Sequence, residues 1–292
     1  MATLVGILGH SSSPVFDAAL LKHKEQHLLQ ILRDLGSVIV AYSGGTDSAY
    51  LAWAANLALG PNAVAITADS ASIPDSHKRD AEKFALEQGI RHEYIPTFEF
   101  DNPDYVANNA DRCFHCKDEL FNRLEEVGAD RGIPSIVYGV NKDDLGDYRP
   151  GQKAARIHQV KAPLVEANLT KAEIRALSQM AGLSTWDRPA SACLSSRIPY
   201  GTPVTAETVQ TVDRGEEALR SLGFRQFRVR YHGELVRLEI ATDEMERALS
   251  LQMAAEFTRV FKALGFHYVT LDLEGYRQGA MNEVLKLKPS SN

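Results

Sequence analysis

The residues best suited to chemistry are the run Ser43-Gly-Gly-Thr-Asp-Ser48 and three cysteines, Cys113, Cys116 and Cys193. Gly44 and Gly45 carry no side chain, so the backbone can turn sharply there and let a polyphosphate approach. The sequence places a strand before this run and a helix after it. The helix amides and dipole would attract the anion. Ser43 and Ser48 offer hydroxyl donors, and Thr46 lies in the same loop. Asp47 is acidic beside a phosphate site, which suits a carboxylate that shares Mg²⁺ with the phosphates. A plain Ser-Gly turn with Asp47 as a helix cap is the competing reading. The flanking strand and helix favour the phosphate loop. The pattern GxxxxGK[ST] is absent, which excludes the P-loop kinases and GTPases.

The cysteines admit three readings. Arg112-Cys-Phe-His-Cys-Lys117 has the spacing for two ligands on one metal or cluster, and it is expected just before a helix. Cys193 lies in Pro189-Ala-Ser-Ala-Cys-Leu-Ser-Ser-Arg-Ile-Pro-Tyr-Gly201, a segment expected to fold back over the phosphate site. Three thiolates would hold three irons of a [4Fe–4S] cluster and leave the fourth open. Structural zinc, with His115 as a fourth ligand, ranks second. Inert buried thiols rank third. Three is an odd number, so no secreted disulfide framework is expected. The default location is cytoplasmic, with no targeting segment expected and no apolar run long enough to span a bilayer.

Strands and helices alternate around these residues. Helices are expected over 17–35, 49–59, 75–88 and 116–130, and strands over 37–42, 63–67, 92–95 and 135–138. That alternation predicts an α/β fold with a parallel sheet covered on both faces. Ligands of such sheets bind beyond the carboxyl ends of the strands. The segments 43–48, 68–73 and 139–147 all follow a strand, which adds Asp69 and Gly139 to the candidate site. Thr170 should cap a helix over 170–181. The stretch 186–203 reads as a loop or interdomain connection. A smaller α+β unit follows, with a helix over 206–222 and strands over 226–231, 235–240 and 267–271. Residues 1–185 and 186–292 are expected to form two domains.

Several motifs together carry a family resemblance. SGGTDS after the first strand resembles the PP-loop ATP pyrophosphatases, related in fold to the adenine-nucleotide α-hydrolases. With RCFHCK, Gly146-Asp-Tyr-Arg-Pro-Gly151, Leu169-Thr-Lys-Ala-Glu-Ile-Arg175 and CLSSRIPYG, the chain resembles the LarE family of sulfur transferases in nickel-pincer nucleotide synthesis. The resemblance runs from about residue 28 to about 273. It implies that ATP adenylates a carboxylate of a pyridinium biscarboxylate mononucleotide and that sulfur then displaces AMP. One branch of the family gives up the sulfur of its own cysteine; another carries three cysteines and resembles cluster-dependent thiolases. This chain has the three-cysteine pattern, so the cluster branch is expected. Cys193 and Asp47 are the expected catalytic residues. Arg149 and Lys171 are expected to contact ATP phosphates.

The smaller unit holds the expected acceptor residues. Arg228 and Arg230 alternate on a strand and share a face, which suits a phosphate monoester once the resemblance is granted; on the residues alone, a solvated strand face is the alternative. Ser196 and Arg197 are expected to extend that pocket. Glu216 and Glu239 are expected to hold a metal or orient the substrate; their alternative is ordinary surface charge. The family resemblance also implies a homo-oligomer, a hexamer. Charged residues make up 24% of the 292 residues and the formal net charge is −6, which argues against a broad nucleic-acid-binding face. An amidating synthetase, a tRNA-thiolating enzyme and a nucleotide-sensing module are the competing functions.

Overall fold

A computed structural model describes residues 16–146, 150–189 and 192–277. Asp147 and Arg149 lie outside the described residues. The first helix, α1 (Ala18–Leu35), starts at Asp17, whose carboxylate accepts from the Ala19 and Leu20 amides. It ends at Gly36. Strand β1 (Val38–Ala41) follows and is wholly buried. Its β-branched residues suit a strand covered on both faces. The loop from Tyr42 to Gly45 leads into α2 (Thr46–Leu59), which is mostly buried as far as Ala55 and accordingly rich in Ala and Leu.

The alternation continues through β2 (Ala63–Asp69), α3 (Asp75–Glu87), β3 (His92–Pro96), α4 (Pro103–Val106), α5 (Arg112–Arg131) and β4 (Ile136–Tyr138). The four strands form a parallel sheet in the order β3-β2-β1-β4. One apolar layer packs α1 and α2 on one face. Another packs α5 on the opposite face. The chain turns outward from β1 to β2 and later returns to β4 on β1's other side. The crevice between the ends of β1 and β4 is therefore the switch point where ligands of open sheets bind.

Three further helices follow: α6 (Pro150–Ile157) packs on the α5 face, and α7 (Pro163–Glu166) and α8 (Lys171–Met180) pack on the α1–α2 face. Thr170 and Glu173 form a reciprocal capping box at the start of α8. The smaller sheet is built from β5 (Phe227–His232), β6 (Leu235–Ile240) and β7 (Tyr268–Leu271), in that order. β5 and β6 are antiparallel, and β7 joins β6 in parallel. α9 (Ala206–Ser221), α10 (Met245–Ala248) and α11 (Leu251–Ala263) pack with them.

The second core draws on residues from both sides of position 185. Tyr105 of α4, with Leu194, Ile198 and Val204, is buried among the side chains of α9, β5, β6 and α11. The stretch expected to be loop contains a short 3-10 turn, Leu194–Arg197, and its Leu194, Ser195 and Arg197 are buried. No helix among the described residues is long and apolar enough to cross a membrane.

Candidate active site

Gly44 stands at the turn after β1 with φ +72, the left-handed region that favours glycine. A Cβ there would also meet the Ala81 Cβ at 3.0 Å, so α3 leaves no room for a side chain. Gly45 is the N-cap of α2 and brings no side chain to cap it. The Ser43 and Ser48 hydroxyls lie 3.0 Å apart, and the Ser43 amide donates to Ser48 Oγ at 3.2 Å. The Thr46 hydroxyl donates to the Thr185 carbonyl at 2.9 Å. The loop is thus tied back by its own hydroxyls, and the first amides of α2 face the crevice end.

Gly139, the residue after β4, abuts this helix start. A Cβ on it would lie 2.7 Å from the Ser48 nitrogen and 2.8 Å from its Cα. Gly139 therefore sets how closely β4 approaches the loop. Asp69, at the end of β2, is exposed and paired with Lys78 at 2.7 Å.

Asp47 points into the site from the first turn of α2. Its Oδ2 accepts from Lys171 Nζ at 2.7 Å. Its Oδ1 is buried and without a hydrogen-bond partner among the described residues. Burial raises the Asp47 carboxyl above its usual range, and Lys171 offsets only part of that. Asp144, which follows β4, adds a second negative charge nearby. A half-satisfied carboxylate beside another carboxylate suits a hard cation, so the donor set fits Mg²⁺.

The cysteines are placed differently from expectation. Cys113 and Cys116 lie inside the first turns of α5, three positions apart and so on one face, rather than ahead of the helix. Cys193 is the residue before the Leu194–Arg197 turn. Burial raises the Cys116 thiol, with Glu99, Cys193 and Cys113 adding to the rise. Burial and Cys193 raise the Cys113 thiol, although the residue as a whole is exposed. The three sulfurs therefore share one neighbourhood. Among the described residues no three donors stand close enough to grip an ion as placed. By donor type the thiols suit an iron–sulfur cluster or zinc.

The acceptor candidates form two buried pairs. Arg197 donates from Nε to Glu216 Oε1 at 2.8 Å and from Nη2 to Oε2 at 3.1 Å. Arg230 does the same with Glu239, at 2.8 and 2.7 Å. All four are nearly inaccessible, from 1% to 5% exposed, so Glu216 and Glu239 are not surface charges. Burial would lift the Glu216 carboxyl, but the Arg197 guanidinium holds it below the usual range. Arg197 also donates to the Cys193 carbonyl at 3.0 Å and to Ser196 Oγ at 2.9 Å. Arg228 shares the face of Arg230, half-buried, with its guanidinium 4.8 Å from the centre of the Tyr276 ring.

Arg228 and Arg197 line a cleft of about 440 Å³ between α3, the 188–189 turn, α9 and the start of β5. Six arginines line it, Arg79, Arg188, Arg197, Arg220, Arg225 and Arg228, against the carboxylates of Asp80, Glu216 and Glu217. The cleft is cationic in a chain of net negative charge. Arg188 links it to the phosphate loop, donating to the Gly44 carbonyl at 2.9 Å and pairing with Asp80. Sequence reasoning missed Arg188, because nothing local marks an arginine whose partner lies 144 positions away. It also missed Glu99, which is 2% exposed, bonded to Ser70 and Ser72, and has one oxygen unpartnered among the described residues. A second hollow, around Gly128 and Ile133, lies at the amino end of β4 and away from all these residues.

No family model matches the chain. It is 44% identical over 266 residues to an uncharacterized protein of Synechocystis sp., covering 91% of this chain and 99% of the relative. It is 27% identical over 172 residues to an uncharacterized protein of Methanocaldococcus jannaschii, covering 59% and 66%. It is 37% identical over 269 residues to the pyridinium-3,5-bisthiocarboxylic acid mononucleotide synthase of Lactiplantibacillus plantarum, covering 91% of this chain and 96% of that enzyme. At that identity over nearly the full length of both chains, this protein belongs to the LarE family.

Proposed function

We propose that the protein is an ATP-dependent sulfur transferase acting on a pyridinium biscarboxylate mononucleotide. The observation that carries this reading is the loop between β1 and α2. Uncapped helix amides, a left-handed glycine and a carboxylate with one idle oxygen converge at the switch point of the sheet. The loop from Ser43 to Ser48 would hold the triphosphate, with Asp69, Gly139 and Lys171 around it. Arg149 is proposed as a further phosphate contact. A carboxylate oxygen of the substrate attacks the α-phosphorus, and pyrophosphate leaves. Sulfide then displaces AMP and leaves a thiocarboxylate. Mg²⁺, held by Asp47, would screen the charge of the leaving pyrophosphate.

The arginine-lined cleft suits the substrate's phosphate, with Arg228 and Arg197 lining it and Arg197 fixed by Glu216. Ser196, Arg230 and Glu239 would extend the acceptor site. Cys113, Cys116 and Cys193 would hold the [4Fe–4S] cluster. Such a cluster supplies an open iron able to carry an extra sulfide. Sulfur from Cys193 itself is the second reading, favoured by its place in the segment that Arg197 ties to the acceptor site. Residues 1–185 and 186–292 act as nucleotide and acceptor units. The working form is a cytoplasmic homo-oligomer.

The test is direct. Purified protein is incubated with ATP, the biscarboxylate mononucleotide, sulfide and ammonium, and pyrophosphate, AMP and the mass of the product are measured. Release of pyrophosphate with exchange of one oxygen for sulfur supports the reading. Pyrophosphate release with ammonia incorporated instead would make the protein an amidating synthetase.

A further inference from the structure

We propose that Asn108 and Arg112 are a positioning pair that keeps Cys193 in the neighbourhood of Cys113 and Cys116. The inference rests on the reading that the three thiols act together. Asn108 is fully buried and has φ +56, in the left-handed region that Asn tolerates better than most non-glycine residues. Its side chain is surrounded by the chain that follows Cys193. The Asn108 amide donates to the Pro199 carbonyl at 2.8 Å, to Thr202 at 2.9 Å and more weakly to Ile198 at 3.3 Å. Its own carbonyl accepts from the Gly201 amide at 3.1 Å. Its Oδ1 accepts from Arg112.

Arg112 opens α5, beside Cys113, and is 4% exposed. It donates to the Ser195 carbonyl at 2.9 Å, two residues beyond Cys193. One guanidinium therefore joins the helix that carries two thiols to the segment that carries the third. Arg112 pairs with no carboxylate among the described residues. A buried cation without a counter-charge is costly. The acidic groups around it are the thiols of Cys193 and Cys113 and the phenols of Tyr105 and Tyr200. From the opposite side, the Leu194 amide donates to the Ser72 carbonyl at 2.8 Å, and Tyr105 Oη and Ser195 Oγ lie 2.7 Å apart. None of these bonds touches the phosphate loop. Their common effect is to fix where Cys193 stands, beside the Arg112 guanidinium.

Arsenite reads this geometry without any turnover. It condenses with three thiols, As(OH)₃ + 3 RSH giving As(SR)₃ + 3 H₂O, and binds less tightly when only two are in reach. Reduced, folded protein is titrated with arsenite alone. Asn108→Gly keeps the left-handed backbone and removes only the side chain. Arg112→Gln removes the charge, and Arg112→Lys restores it. Cys193→Ser sets the two-thiol level. Wild type should bind about tenfold or more tightly than Cys193→Ser, since the third thiol acts at high effective concentration. Asn108→Gly and Arg112→Gln should fall towards the Cys193→Ser level, and Arg112→Lys should recover part of the loss. Placed in the Cys193→Ser background, Asn108→Gly should change nothing further. Wild-type affinity in Asn108→Gly would overturn the inference. So would an equal loss in both backgrounds, which would mark a general structural effect. A wild type that binds no tighter than Cys193→Ser would instead remove the three-thiol reading beneath it.

Discussion

Lys171 Nζ stands 2.7 Å from Asp47 Oδ2, while the other oxygen of that carboxylate is buried with no partner among the described residues. The pair is half a site. Its raised carboxyl pKa means that the folded state holds the Asp47 proton more tightly than the unfolded state does. Ionising Asp47 therefore costs stability as pH rises above the unfolded carboxylate range, and the cost persists at neutral pH. Asp47→Asn should unfold at no lower temperature than wild type at neutral pH, yet bind Mg-ATP roughly tenfold or more weakly. Thermal melts and nucleotide titration check both halves. A variant that melts well below wild type and keeps its ATP affinity would make Asp47 structural.

Gly139 makes a steric prediction. Its missing Cβ would sit 2.7 Å from the Ser48 nitrogen, and backbone at a helix start has little freedom to yield. Gly139→Ala should cost about 1–3 kcal/mol, as overpacking does, and should displace the amides at the start of α2. Calorimetry should show weaker ATP binding in the folded variant. Unchanged affinity would mean that β4 gives way instead of the loop.

The Arg197–Glu216 pair predicts an asymmetry. Glu216→Ala leaves a guanidinium buried without its carboxylate, which should cost about 3–5 kcal/mol in denaturant unfolding. The double change Arg197→Met with Glu216→Leu removes both charges and should recover most of that loss. Activity should stay low in the double variant if Arg197 orders the acceptor segment. Recovery of both stability and turnover would assign the pair to packing alone.

His77, on the wall of the arginine cleft, is driven down to about 4 from an ordinary 6.5 by burial and by Arg188. The folded imidazole stays neutral while the unfolded one takes a proton. Stability should therefore fall as pH drops from about 6.5 towards about 4, and level off below. His77→Gln should flatten that limb of a melting-temperature profile. An identical slope in wild type and variant would place the acid sensitivity elsewhere.

The local parts of this fold were legible in the sequence. β1, the Gly44 turn and α2 follow from a β-branched run, two glycines and an Ala-rich stretch, all within about twenty residues. Thr170 and Gly60 announce their helix ends in the same way. The start of α5 was not legible, because Asp111 makes no side-chain cap there and the first turn is held instead by Arg112 reaching Ser195. α6 and α7 escaped notice because they are short and begin at Pro150 and Pro163. The roles of Glu216 and Glu239 were illegible for a related reason. A carboxylate whose bidentate arginine partner lies 9 or 19 positions away gives no hint that folding will bury it against that arginine. Arg188, Glu99 and Asn108 belong to the same class, since each acquires its meaning from partners at long range.

Tyr105, Leu194, Ile198 and Val204 fill the interior of the smaller sheet although they precede its first helix. The C-terminal unit is therefore not a detachable module. Cut at residue 205, it would present a vacant socket where four large side chains belonged, and it should misfold or aggregate when expressed alone. Lineages of this protein would be free to remodel the outer surface of that unit. The plug would have to be inherited together with the rest.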